Sequence, residues 1–445
     1  MKVRSRGLPG LAEKSLYATG AQAIGLIAAV VTGALTARLL GVYGKGIFAL
    51  AGACASTAVI VGSLGVSSAL AYQTGWGVLS EEDFLGVAGV WAVLCGLFVG
   101  GGIWLLRGVL LGTVLRGMTE FQLAAVVLGL PAHFFIEMAA SVLVGAGRMR
   151  LLALLRVVSA SLILVSLTVA LLFVGRDATT GITAWMLSII VSSVVYMVVS
   201  KGRLRGSLRN FRATADSSIR YGLRSYLGGV THLFSLRADY FFLNLLAGPA
   251  ALGQYGVAVS LAEKAWLVPN ALSQAAYSSM TQCEKREAAR VAARAGRIAG
   301  MLAGIAGALL GVVGFVGIPL VFGAAFSPAY PLLLLLIPGV IAMAVTNVYS
   351  AFYVGHMGRP GLNSAVSVFV GLSSALMYVL WIPRFGAAGA AAASSLAYVS
   401  STVVWAWRFP RDTGIDAREM FIPLRGDFFI VWTRLREAAG GVFLQ

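Results

Sequence analysis

The sequence predicts an all-α membrane protein of twelve transmembrane helices in two six-helix lobes, on three observations. The chain is 59% hydrophobic and only 11% charged, with a mean hydropathy of +0.87, whereas about a quarter of a soluble domain is charged. Twelve apolar runs each reach the roughly 20 residues that cross a bilayer. The basic residues alternate in density from one connection to the next as a polytopic protein requires.

The runs read as spans at 15–40, 47–74, 84–106, 121–146, 150–174, 181–200, 222–246, 251–280, 297–323, 330–357, 361–383 and 387–408. With both termini in the cytoplasm of an inner membrane, the inner segments hold 24 Lys and Arg and the outer loops five, among them Lys45 and Arg107. That bias sets the orientation and favours an even number of spans. The weakest inner loop is Glu81-Glu82-Asp83, which has no basic residue. The organisation that follows is an N-terminal lobe over 1–200, a basic cytoplasmic linker over 201–221, a C-terminal lobe over 222–408 and an amphipathic tail over 409–445, lying on the membrane surface.

Net charge is +17. Without a basic soluble domain to carry it, this charge speaks for topology and anionic phospholipids rather than nucleic acid. Cys54 and Cys95 fall in spans and Cys283 in an inner loop, so neither a disulfide nor a metal site is indicated. The N-terminal run is too long for a signal-peptide core and reads as span one.

Taken in order, span one carries Gln22, Gly25, Thr32 and Thr36 at helical spacing, which serve either to line a cavity or to bring helices close. Span two repeats this with Ser56, Ser63 and Ser67, and span three is glycine-rich. In span four, Gln122, Gly129, His133, Glu137 and Ser141 share one face beside Pro131, and His133 and Glu137, four apart, can touch. Arg156 sits two turns inside span five, where it either snorkels to the inner face or lines a cavity. Span six is Ile, Val and Ser.

Span seven is the most highly charged. Arg224, Gly228, His232, Ser235 and Asp239 lie one above another, while Arg237 points to nearly the opposite side and is not placed to pair with Asp239. An ionisable group there needs a partner or water, since its burial in hydrocarbon costs about 2.5–3.5 kcal/mol. In span eight Glu263 and Lys264 read as a local pair at the interface. Asn347 and Tyr349 are the polar exceptions of span ten, and the run from Gly386 to Ser395 in span twelve is small-residue packing.

The chain also repeats. Gly44 and Ala49 match Gly253 and Ala258 at an offset of 209 residues, and six helices per half make this a parallel repeat about an axis along the membrane normal, with a cleft between the bundles.

The stretches ARLLGVYGKGIFALA (37–51), ADYFFLNLLAGPAALGQYGVAVSLAE (238–263), FGAAFSPAYPLLLLLIPG (322–339), YVGHMGRP (353–360) and IPRFGAAGAAAASSLAY (382–398) resemble, in order and spacing, the multidrug, oligosaccharidyl-lipid and polysaccharide exporter superfamily, and within it the polysaccharide-biosynthesis flippases. The resemblance implies a V-shaped pair of lobes that alternates between inward-open and outward-open forms. It implies transport of an undecaprenyl-diphosphate-linked oligosaccharide to the outer leaflet through a cationic cavity. Relatives often have Asp-Arg in span seven; here Asp239 is followed by Tyr240, and Arg237 precedes it.

The diphosphate reading assigns Arg237, Arg224, Arg156, His232, Gln22 and Asn347 to substrate, because guanidinium binds phosphate bidentately and polar side chains meet sugars. Asp239, Glu137 and His133 are the candidates for coupling to protons or sodium ions, each weighed against a structural ion pair or hydrogen bond. The expected partners are a polyprenyl-diphosphate-linked glycan, anionic phospholipids and a polysaccharide assembly machinery, with the chain itself a monomer. No cofactor is expected. Two other readings stand: a cation-coupled multidrug exporter, which calls for an acid-lined cavity, and a membrane glycan polymerase or ligase, which calls for a sizeable outer loop. The longest outer loop is 107–120. Metal-ligand spacing, a nucleophile elbow and a phosphate-cradling glycine loop are not apparent.

Overall fold

The computed structural model describes residues 9–201, 207–280, 283–422 and 427, with the side chains of 9–23, 207–208, 224–225, 227–236 and 278 left aside. Helices run as α1 (Pro9–Gly62), α2 (Val66–Gly75), α3 (Glu81–Leu105), α4 (Arg107–Gly112), α5 (Glu120–Gly145), α6 (Met149–Phe173), α7 (Ala178–Val199), α8 (Ser207–Ala262), α9 (Leu267–Met280), α10 (Lys285–Phe322), α11 (Ala329–Ala351), α12 (Pro360–Thr413) and α13 (Ala417–Phe421). A 3₁₀ turn over Glu263–Trp266 joins α8 to α9, and a π turn over Phe352–His356 extends α11.

Among the described residues nine helical stretches are long and apolar enough to cross a membrane. Three of them contain two spans each, so the sequence-derived twelve are recovered. A straight 54-residue helix such as α1 would measure roughly 80 Å against about 30 Å of hydrocarbon. Instead α1 turns at Gly41 (φ 67°), α8 at Gly248 (φ 83°) and α12 at Gly386 (φ 56°), a left-handed region that favours glycine. Pro249 follows Gly248 at the first helical position, where its fixed φ fits and its missing N–H is not needed. Each turn is clasped by polar atoms on its two limbs: Lys45 Nζ donates to Thr36 Oγ1 at 2.7 Å, Tyr255 OH to Asp239 Oδ2 at 2.6 Å, and Tyr378 OH lies 2.8 Å from Ser394 Oγ.

Contacts divide the chain into two units, 1–233 with 248–253, and 234–247 with 254–445. In the first, α5 packs between α3 and α7, and α6 packs on α1 and α7. Span two is broken at Leu64 and Gly65, both with positive φ. The break frees backbone carbonyls in a solvent that cannot satisfy them. Tyr226 of α8 meets this need by donating to the Val61 carbonyl at 2.6 Å. The acidic inner loop is likewise compensated, since Glu81 pairs with Arg148 at 2.9 Å and Ser80 caps α3 by accepting from the Asp83 amide.

The repeat offset differs from that read in the sequence. A Cβ on Gly46 would lie 1.8 Å from the Pro249 carbonyl oxygen, and one on Gly253 would lie 2.0 Å from that of Val42. These two contacts, inside the first unit, are mirror equivalents only if 42 matches 249 and 46 matches 253, an offset of 207, which also superposes the turning glycines 41 and 248. The offset of 209 aligns Gly44, which takes no part in the turn, with Gly253.

In the second unit, α11 packs against α10 and α12 around a cluster that includes Tyr349, Phe352, Tyr353, Trp405 and Phe409. The start of the tail belongs to this core. Met420 is buried in the cluster, and Asp427 pairs with Arg297 at 2.8 Å and Arg294 at 3.5 Å. Arg297 also donates to the Glu419 carbonyl. The surface-lying tail read from the sequence is thus corrected for 417–422 and 427, which dock on α10 because a buried Arg there needs a carboxylate. Residues 423–426 and 428–445 lie outside the described residues, as do 202–206 of the linker; 207–221 form the first turns of α8.

Replacing Gly46 by Ala should lower stability by about 1–3 kcal/mol through overpacking against Pro249, read as thermal unfolding in detergent, while Gly101→Ala, with open space around it, should leave it nearly unchanged.

Candidate functional site

The charged stretch of span seven is resolved from Arg237 onward; the side chains of Arg224 and His232, and that of Gln22 in span one, lie outside the described residues. Arg237 and Asp239 do not pair, as their spacing predicts. Arg237 Nη1 donates to Glu263 Oε1 at 2.8 Å, and its guanidinium lies 5.5 Å from the Tyr240 ring centroid. Glu263 therefore serves span seven rather than Lys264, because the return of the chain at Gly248 brings residue 263 back alongside residue 237. Both side chains keep about a quarter of their surface exposed (29% and 25%), so this pair is reachable from outside the core.

Asp239 is 3% exposed. Its Oδ1 accepts from the Tyr240 amide at 2.9 Å and its Oδ2 from Tyr255 OH at 2.6 Å. The Tyr255 hydroxyl lies 3.1 Å from Ser394 Oγ, which in turn lies 2.8 Å from Tyr378 OH. These groups form a buried chain, Asp239–Tyr255–Ser394–Tyr378, drawn from both limbs of α8 and both limbs of α12. Asn347 stands apart from it, donating to Asn270 Oδ1 at 3.0 Å.

The first unit holds a second cluster. Lys45, assigned to an outer loop from the sequence, is in the first turns of the second limb of α1, half-buried, with Nζ on Thr36 Oγ1 and 5.7 Å from the Phe48 ring centroid. Phe48 packs on Trp185 at 5.6 Å, and Trp185 takes the His133 ring edge-on at 6.4 Å. His133 Nδ1 is buried without a hydrogen-bond partner, and Glu137 is exposed. Arg156 is exposed too. Among the described residues neither Lys45 nor Arg156 has a carboxylate within 4.0 Å. The rest of the span-four stripe is structural: Gln122 forms a capping box with Thr119 and donates to Thr179, and Gly129 gives room to Met186.

Lys45, Trp185, Tyr255, Glu263 and Ser394 were not singled out as site residues from the sequence. Tyr255 lies 16 residues after Asp239, and its neighbour relation to Asp239 appears only once the turn at Gly248 is known. Among the described residues no group of three His, Cys, Asp or Glu side chains is gathered to hold a metal.

The fold is shared with solved membrane transporters described as members of the MOP superfamily. An outward-facing multidrug-resistance MATE transporter superposes with a TM-score of 0.64 at 15% identity, covering 93% of this chain and 99% of that one. The lipid II flippase MurJ in an inward closed conformation gives 0.71 at 13% identity, covering 92% and 89%. A superfamily transporter from Pyrococcus furiosus, described as having a binding pocket of reversed polarity, gives 0.62 at 16% identity, covering 93% and 99%. The polysaccharide biosynthesis protein family matches residues 11–284, and the chain belongs to that family. No curated protein matches it in sequence.

Tyr255→Phe should leave one Asp239 oxygen buried without its donor and lower stability by about 1–3 kcal/mol, measured by chemical denaturation in detergent; Tyr277→Phe, at an exposed hydroxyl, is the control and should change little.

Proposed function

We propose that the protein is an alternating-access flippase that carries an undecaprenyl-diphosphate-linked oligosaccharide from the cytoplasmic to the outer leaflet of the inner membrane, with both termini cytoplasmic. Family membership supports the class of cargo, and one observation carries the diphosphate: Lys45 and Arg156 sit in spans with no carboxylate within ion-pair distance among the described residues. A cation in hydrocarbon costs about 2.5–3.5 kcal/mol, and an anionic ligand offsets that cost. Within the second unit, Arg237 offers a phosphate contact of its own by exchanging Glu263, its one-quarter-exposed partner, for the stronger bidentate acceptor. Trp185 suits a sugar ring by its flat apolar face.

The coupling ion in this reading is the proton. Both Asp239 oxygens already face donors, whereas sodium would need several oxygens turned toward it. A proton needs only the Tyr255 hydroxyl to turn from Asp239 to Ser394, at 3.1 Å, whereupon protonated Asp239 donates to Tyr255. The hydrogen-bond chain then runs in the opposite sense as far as Tyr378, whose hydroxyl becomes an acceptor from Ser394, so proton uptake changes how the limbs of α8 and α12 are tied.

Lys45→Gln, Arg237→Ala and Asp239→Asn should accumulate in the membrane like the unaltered protein while flipping of the lipid-linked oligosaccharide in proteoliposomes falls about tenfold or more, the equivalent of about 1.4 kcal/mol. Unaltered flipping by all three would overturn the reading.

A further inference from the structure

A cavity of about 670 Å³ lies in the first unit among α3, α5 and α7, within the roughly 300–1,000 Å³ of ligand sites. Gly89, Val93, Pro131, Phe135, Val194 and Met197 are in its wall. Lipid-facing rim residues keep it open to the bilayer, Val93 at 50% and Val194 at 56% exposure. It exists because glycine and proline occupy positions where a larger residue would fill it: a Cβ on Gly89 would point at Met197 Cε and Phe135 Cε2, at 3.6 and 4.0 Å. Its wall takes the first half of α3 and the last turns of α7, so it belongs to the leaflet at that end of the bundle.

The same end carries the first turns of α8. Phe211 packs edge-on against Trp91 at 4.9 Å, between the wall residues Val90 and Ala92, while Tyr221 stacks on Tyr72 at 4.7 Å and Gln73 donates to Ser217 at 3.0 Å. This pins the basic helix against the last turn of α2 and the first half of α3. Arg220 is neutralised by Asp216 at 2.9 Å, but Arg209 and Arg212, flanking Phe211, are exposed and have no acidic partner among the described residues. An apolar slot open to hydrocarbon and two free guanidiniums at the same end suit one molecule with a hydrocarbon chain and a phosphate.

We propose that this cavity is an anionic phospholipid site, with an acyl chain between α3, α5 and α7 and the headgroup phosphate on Arg209 and Arg212. The lipid then ties the segment linking the two halves of the chain to the first unit. The site stands apart from the transport reading and is independent of which cargo is carried.

A photoreactive benzoylphenylalanine at Val198, one turn beyond Val194 and outside the wall, tests this in proteoliposomes of phosphatidylcholine doped with phosphatidylglycerol, with adducts identified by mass spectrometry. Phosphatidylglycerol adducts should exceed that lipid's share of the bilayer by about thirtyfold, the equivalent of about 2 kcal/mol for two basic residues. Arg209→Gln with Arg212→Gln should return adducts to that share, and Gly89→Leu should remove the enrichment while Gly101→Leu, at an open position, keeps it. Adducts in bilayer proportion in the unaltered protein, or enrichment untouched by both the arginine and the Gly89 variants, would overturn the proposal. Loss of the phosphatidylglycerol adducts on adding undecaprenyl phosphate would overturn it in favour of a polyprenyl occupant.

Discussion

The hydrogen bond from Tyr255 to Asp239 is the constraint around which the second unit is organised. A carboxylate buried to 3% exposure inside a span is tolerated only with donors on its oxygens. One donor, the Tyr240 amide, is local; the other comes from sixteen residues further on and reaches only because α8 reverses at Gly248. Ser394 then holds Tyr255, and Tyr378 holds Ser394, across a second reversal at Gly386. Four spans are joined through one buried acid, and the same turn that brings Tyr255 to Asp239 brings Glu263 to Arg237.

The reversals themselves follow from the solvent. A bilayer cannot satisfy open backbone groups, so two spans are best joined by a turn of the fewest residues, and a single glycine in the left-handed region allows it. Glycine serves closeness as well as turning at the start of each returning limb. At Gly46 and Gly253 helix backbones approach to a distance that no Cβ permits, and the near-identical geometry of the two contacts relates the halves of the sequence more firmly than residue matching does.

Hydropathy made the twelve spans legible, and period and spacing made it clear that Arg237 and Asp239 face apart. What stayed hidden depended on where the chain turns. Lys45 reads as a loop residue because polar and glycine residues surround it, yet it folds back on Thr36. Glu263 reads as the neighbour of Lys264 because its true partner is 26 residues earlier. The tail reads as amphipathic, and its Asp427 gains meaning only beside Arg297, 130 residues away in sequence. His133 and Glu137, which can touch by spacing, are separated by environment, one ring against Trp185 and the other side chain exposed.

The chain belongs to the polysaccharide biosynthesis family, and in the proposed transport cycle the buried acid is the group that energises it. In this account the proton resides on Asp239 during part of the cycle and nowhere else in the second unit's buried chain. Infrared difference spectroscopy of the reconstituted protein, taken as the pH is lowered, reads this directly. A protonated-carboxyl stretch that appears in the unaltered protein and is absent in Asp239→Asn is the result predicted; no such band, or the same band retained in Asp239→Asn, would contradict it.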